Sequence, residues 1–256
     1  MKIVIFGGTT EGRELSSLLA SAGADVTVSV VSGYGAEEQN ASGNSGSLKI
    51  EEGPRDENGM RLLLADADIC VDATHPYAVE ASANIRSAAE AENVEVLRLK
   101  RASVSLDEIK GSGVEDLYIA EDPAEAARIA AGIGGRILLT TGSKDLHLYG
   151  ELLDSELLFP RVLPLSQSID ACEKAGIPHR NIIAVQGPFS EAFNRAVIDE
   201  YQINVLITKE SGRAGGFMEK INACKSCGIP AVVISRPADE GLSFDEVRAL
   251  CMEKLK

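Results

Sequence analysis

The run Gly7-Gly8-Thr9-Thr10-Glu11-Gly12-Arg13 follows a β-rich segment and opens a helical pattern. Glycines let the chain turn tightly and approach a ligand without a Cβ in the way. The helix start behind them offers N–H groups and the positive end of a dipole to phosphate oxygens, and Thr9 and Thr10 add hydroxyls. Gly7 and Gly12 match the outer positions of a dinucleotide fingerprint, with Thr9 where its middle glycine would be. No carboxylate ends the second β-like segment. Ser29, Ser32, Gly33 and the nearby Arg13 suit a 2′-phosphate better than a bare ribose diol. A tight βα turn with no ligand is the competing account of the same spacing.

Polar groups also gather at the carboxyl ends of later β-like segments, where open parallel sheets bind ligands. They occur in DATHPYA (Asp72–Ala78), LRLKR (Leu97–Arg101), TTGSK (Thr140–Lys144), FPRVLP (Phe159–Pro164), QGPFS (Gln186–Ser190), TKESG (Thr208–Gly212) and SRP (Ser235–Pro237). Arg98, Arg101, Lys144, Arg161, Lys209 and Arg236 make these ends cationic although the chain carries a formal charge of −14. A substrate with several carboxylates or phosphates accounts for such a rim. Taken singly, each residue also has a structural account: loop chemistry, a capping Asp72, a packed His75, or Glu210 pairing with Lys209.

The elements that must position these groups alternate β and α almost throughout the 256 residues. The β-like runs are short, branched and nearly continuously apolar, which predicts parallel sheets covered on both faces. Gly111-Ser112-Gly113 reads as a joint, giving two α/β domains over residues 1–110 and 111–256. Gly33–Ser47 reads as a surface loop. The negative charge argues against nucleic acid, no apolar run is long enough for a membrane span, and five scattered cysteines suit a reduced cytoplasmic protein. Cys224-Lys225-Ser226-Cys227 falls at a helix end rather than a helix start, so it is read as structural. With three separated histidines, no metal site is expected.

GGTTEGREL, DATHPYA, TTGSK, QGPFS and TKESG with Gly215-Gly216 occur in an order that resembles the precorrin-6A reductases along essentially the whole chain. DATHPYA and QGPFS are the most specific parts of that resemblance. It departs from the family where Ala102 and Ser103 stand in place of a Pro and a Trp. The resemblance implies two Rossmann-like domains with mostly parallel sheets and a cleft between them. It also implies reduction of a precorrin-6A or cobalt-precorrin-6A ring with NADPH or NADH, in cobalamin biosynthesis. On that reading Gly7, Gly8, Thr9, Thr10, Glu11, Gly12, Arg13 and Ser32 hold the nucleotide. Thr74, His75, Thr141, Gly142 and Ser143 contact its ribose or nicotinamide. Lys144, Arg161, Ser211 and Arg213 bind the polycarboxylate tetrapyrrole. Lys209 and Tyr77 are the catalytic candidates, Lys209 by charge or proton donation and Tyr77 by hydrogen bonding or stacking. A homo-oligomer is compatible with this reading. The alternatives are a non-catalytic dinucleotide sensor and an S-adenosylmethionine-dependent methyltransferase of the same pathway. The methyltransferase would want an acidic residue where Val31-Ser32 stands.

Overall fold

A computed structural model of the chain describes residues 1–31, 33–41, 47–237 and 240–255. It divides into two compact units, Met1–Ala102 together with Pro237–Lys256, and Ser103–Arg236.

The first unit runs β1 (Lys2–Phe6), α1 (Thr10–Ser21), β2 (Asp25–Val30), α2 (Gly33–Ala41), β3 (Leu48–Glu52), α3 (Glu57–Leu64), β4 (Ile69–Asp72), α4 (Val79–Ala91) and β5 (Glu95–Arg98). Its five strands lie in the order β3-β2-β1-β4-β5, all parallel. The central strand β1 pairs Ile3 with Val26 on one side and with Ile69 on the other. Strands buried on both faces explain the unbroken apolar runs. Ile3 and Ile5 pack into one core layer and Val4 and Phe6 into another, as the two-residue strand period requires. Thr9 and Asp56 cap α1 and α3 by accepting hydrogen bonds from Gly12 and Gly59.

The second unit begins with α5 (Leu106–Lys110), β6 (Leu117–Ala120), α6 (Pro123–Ile133), β7 (Ile137–Thr140), α7 (Leu146–Leu152) and β8 (Leu158–Val162). It continues through α8 (Ser166–Lys174), β9 (Ile183–Ala184), α9 (Glu191–Glu200), β10 (Val205–Lys209), α10 (Phe217–Cys227) and β11 (Ala231–Ile234). Its six strands lie in the order β6-β11-β10-β7-β8-β9, again parallel. Its core collects Leu138, Phe159, Leu206, Val233 and the inner faces of α9 and α10.

The boundary differs from the one expected after residue 110. Val104 and Ile109 belong to the core of the second unit, so the first unit ends at Ala102. Past Pro237 the chain returns to the first unit. Leu242 bridges to Leu99, and α11 (Phe244–Lys254) buries Val247 and Cys251 in the first core. Residues 237–256 therefore complete the first unit rather than extend the second. Gly33–Ala41, expected as loop, is helical. Gln39, 1% exposed, donates to Ser16 Oγ at 2.8 Å and anchors that helix to α1; residues 42–46 lie outside the described residues. Among the described residues no helix is long and apolar enough to cross a membrane.

Candidate functional site

In each unit the strand order reverses once, and such a reversal opens a crevice beyond the carboxyl ends of two neighbouring strands. In the first unit the reversal falls between β1 and β4. The Gly7–Gly12 turn leaves one of these strands and Asp72–Tyr77 leaves the other. Gly7 N donates to Ser29 O at 2.8 Å. Gly8 has φ +133°, is exposed, and would meet nothing within 4 Å if it carried a Cβ. Gly12 is the opposite case: its Cβ would stand 2.8 Å from Ala73 Cβ. The last glycine of the turn therefore lets α1 rest against the end of β4, while Gly8 is the exposed backbone position.

Several side chains expected to face a ligand are engaged within the protein instead. The Thr9 hydroxyl donates to Ala73 O at 3.0 Å and accepts from Gly12 N at 3.1 Å, so it ties the turn to β4. Glu11 accepts two bonds from Arg101 Nε, at 3.1 and 3.0 Å, and holds the segment that leaves β5. Thr10, which is exposed, accepts from Arg13 at 3.2 Å. Ser32 lies outside the described residues.

At the end of β4, Asp72 is 2% exposed. Its Oδ1 accepts from Thr74 N at 3.0 Å, Thr74 Oγ1 at 2.7 Å and Arg98 Nη1 at 2.8 Å. This charge-assisted cluster shapes the loop that carries His75 and Tyr77. Their rings stack with centroids 5.6 Å apart, and both are half-buried. A hollow of about 430 Å³ adjoins the cluster, lined in part by Pro76, Ser82, Arg86, Arg98 and Glu240.

In the second unit the reversal falls between β10 and β7. Thr141–Lys144 follow β7, and Lys209–Gly216 end and follow β10. Lys209 Nζ is 2.8 Å from Asp145 Oδ2, and the two side chains are 16% and 22% exposed. Glu210, the expected competitor for Lys209, instead lies 2.8 Å from Arg236 Nε and accepts from Val104 N and Gly212 N. Strand alternation places neighbouring side chains on opposite faces, so Lys209 and Glu210 find different partners. Gly142 and Lys144 are exposed and Ser143 is half-buried, but Thr141 is buried beside Tyr149. Burial raises the Tyr149 phenol above its usual range, against the opposing effect of the Thr141 side chain.

Arg161, at the end of β8, donates to Asn194 Oδ1 at 2.7 Å and lies 4.6 Å above the Phe189 ring. Burial lowers its guanidinium to about 10. Arg213 pairs with Glu108, and Ser211 Oγ donates to Gly215 O at 3.4 Å. Among the described residues no group of three His, Cys, Asp or Glu could hold a metal ion. Cys224 is buried and its thiol is pushed up to about 12, mainly by burial.

The sequence-derived candidates thus fall into two sets. Gly7–Arg13, Thr74, His75 and Tyr77 surround the reversal of the first unit. Thr141–Lys144, Lys209, Ser211 and Arg213 surround that of the second, with Arg161 one strand further on. Sequence reasoning missed Asp145, Asn194, Phe189 and Lys220. Phe189 was inside a quoted motif, whereas the other three lie on or beside helices with no local signal.

Residues 2–252 match the family described as precorrin-6x reductase CbiJ/CobK. A cobalt-precorrin-6A reductase of Priestia megaterium is 34% identical over 93% of this chain and 91% of its own length. One from Salmonella typhimurium is 35% identical over 92% and 87%. A precorrin-6A reductase of Rhodococcus erythropolis is 32% identical over 92% and 89%. Among solved structures, a CobK precorrin-6A reductase superposes with a TM-score of 0.74 at 20% identity, covering 99% of this chain and 96% of that one. The expected α/β fold with two mostly parallel sheets is the observed one, and the chain belongs to the precorrin-6x reductase family CbiJ/CobK, a family of oxidoreductases.

Proposed function

We propose that the protein reduces precorrin-6A, or its cobalt form, to the 6B level with NADPH or NADH. The observation that carries this is the match to named reductases over more than nine-tenths of the chain, joined to a turn suited to a diphosphate. In that turn Gly8 is exposed with open space at its missing side chain, while Thr9 and Gly12 lock the loop to β4. Such a turn brings backbone N–H groups to phosphate oxygens. Gly7–Gly12, Arg13, Thr74 and His75 would hold the nucleotide, with Gly142 and Ser143 as further contacts. The absence of a carboxylate at the end of β2 leaves room for a 2′-phosphate.

When bound, a reduced nicotinamide supplies the hydride, and the reduction also consumes one proton. The residues of this chain orient the ring and answer its charge. Arg161, Lys144, Ser211 and Arg213 bind carboxylates. The Lys209 ammonium, aimed by Asp145, stabilises the charge that develops on the ring or donates the proton from Nζ. Tyr77 presents its phenol or ring face.

The test is anaerobic incubation with metal-free and cobalt-containing precorrin-6A, each with NADPH and with NADH. Loss of nicotinamide absorbance together with a change in the ring spectrum is the expected result. Nucleotide binding without consumption in all four mixtures would refute the proposal in favour of a sensor. Binding of S-adenosylmethionine in place of either nucleotide would point to a methyltransferase.

A further inference from the structure

A cation stripped of water ordinarily sits against a carboxylate. At the carboxyl ends of the second sheet Lys209 has Asp145, and Arg236 has Glu210. Arg161 and Lys220 differ: among the described residues neither has a carboxylate within ion-pair distance. Lys220, at the end of the first turn of α10, is 7% exposed, and its Nζ reaches the Ser211 hydroxyl at 3.5 Å. Arg161 is oriented by Asn194 and Phe189. These partners are neutral, so they aim the two cations without cancelling their charge.

The groups that face Lys220 are Arg161 from β8, Glu210 at the end of β10, and Glu219 and Cys224 on its own helix. Glu210 is committed to Arg236, Val104 N and Gly212 N. Glu219 has one carboxylate oxygen buried without a hydrogen-bond partner, yet stays beyond ion-pair reach of Lys220. Burial first, and the nearby Arg161 second, lower the Lys220 ammonium to about 7. The segment whose Phe189 ring lies against Arg161 also meets the start of the helix that carries Lys220: a Cβ on Gly216 would stand 3.4 Å from Pro188 and 3.6 Å from the Phe189 carbonyl.

We propose that Arg161 and Lys220, with Ser211, form a buried site for one carboxylate of the ligand, which enters together with a proton. The site rests on the reading of the second unit as the substrate-binding unit, and it names the chemistry of one contact. A guanidinium fork matches a carboxylate in two parallel bonds. The arriving anion supplies the counter-charge that burial withholds, so the bound state favours the ammonium form of Lys220. A lysine largely neutral above its own titration point becomes fully cationic on binding, and binding consumes a proton.

The experiment is a pH titration of the full-length protein with carbon-13-labelled lysine, followed by NMR with and without propionate at fixed ionic strength. Lys220 is assigned as the resonance missing from Lys220→Met. The expected result is a free-state titration near 7 that moves up by at least about one pH unit when propionate is present. The apparent propionate affinity then falls about tenfold per pH unit above the free-state midpoint. Arg161→Met should abolish the propionate effect and raise the free-state titration of Lys220, because a like charge has been removed. A rise that stops well short of the ordinary lysine value of 10.5 also reports that the variant is folded, because an unfolded chain would titrate there.

Lys220 titrating with the surface lysines, or a propionate response of zero, overturns the site. A response to inorganic phosphate and none to propionate overturns its assignment to a carboxylate. Reductase turnover in the same wild-type preparation separates the outcomes. Turnover with an unmoved Lys220 removes this site alone, whereas no nucleotide consumption with any ring removes the broader reading.

Discussion

Replacing Gly12 by alanine sets two opposing effects against each other at the proposed nucleotide turn. Alanine is the better helix former by about 1 kcal/mol, and Gly12 is helical. Its new Cβ, however, would stand 2.8 Å from Ala73 Cβ and 3.3 Å from Thr9 Oγ1. Carbon atoms in contact prefer about 3.5–4.0 Å, so α1 must retreat from β4 by roughly 1 Å. Ala73 is fully buried on a strand end and does not yield. Overpacking of this kind costs about 1–3 kcal/mol, and the retreat strains the two Thr9 hydrogen bonds, each worth about 1 kcal/mol. The net effect is a loss of about 1–3 kcal/mol, read as a lower Tm of the first unit by calorimetry. The displaced turn should also weaken NADPH binding by about 10-fold or more, the scale of one charge-assisted hydrogen bond.

Gly132→Ala supplies the control. That glycine lies in α6 and has nothing within 4 Å of a would-be Cβ, so it shows the helix-propensity gain alone. A Gly12→Ala protein as stable as wild type, with unchanged nucleotide affinity, would refute the packing argument.

Lys209→Ala should lower kcat by about 10²–10⁴-fold while nucleotide affinity holds, which stopped-flow turnover and calorimetry would separate; wild-type turnover removes Lys209 from the chemistry. Arg98→Met leaves the buried Asp72 without its cation, and urea unfolding should show a loss of about 3–5 kcal/mol. Native labelling with iodoacetamide should reach only the half-buried Cys227, the other four thiols being buried; mass spectrometry that finds Cys224 labelled first would contradict this. Lys220 also makes stability depend on pH. Its pKa is lowered from 10.5 to about 7 in the folded chain, so between those values the unfolded chain holds the extra proton. Stability therefore rises with pH across that window, and Lys220→Met should flatten the rise in urea titrations.

The strands were legible because parallel sheets leave a plain trace: every polar motif quoted from the sequence overlaps or follows the end of a strand. The short helices were not. α3, α5 and α7 span five to eight residues, too few turns for a 3.6-residue period to emerge. The helix Gly33–Ala41 hid behind a composition of Gly, Glu, Gln and Asn; Gln39 anchors it to Ser16 through a buried amide contact and Ala36 packs against the first core. For the C-terminal helix, nothing local says which core its apolar stripe will meet. Val247 and Cys251, packed among the residues of β1, β2 and α1 with Phe244, Met252 and Leu255 beside them, settle that.

The site was legible to the same degree and for a related reason. Motifs mark where a strand ends, but they do not say which side chains the fold then consumes. Thr9, Glu11 and Asp72 all sit at the reversal of the first sheet, and all spend their polar atoms on Ala73, Arg101, Thr74 and Arg98. On the proposed reading, recognition there falls to the backbone of the glycine turn, which would tolerate changes in side-chain charge but not in shape. Around the second reversal the balance is opposite: Lys209 is aimed by Asp145, and Arg161, one strand further on, by Asn194, with Lys220 near Arg161. Changes in charge should matter most in the second unit and changes in volume most in the first, because one is suited to grip a phosphate through N–H groups and the other to meet carboxylates with cations.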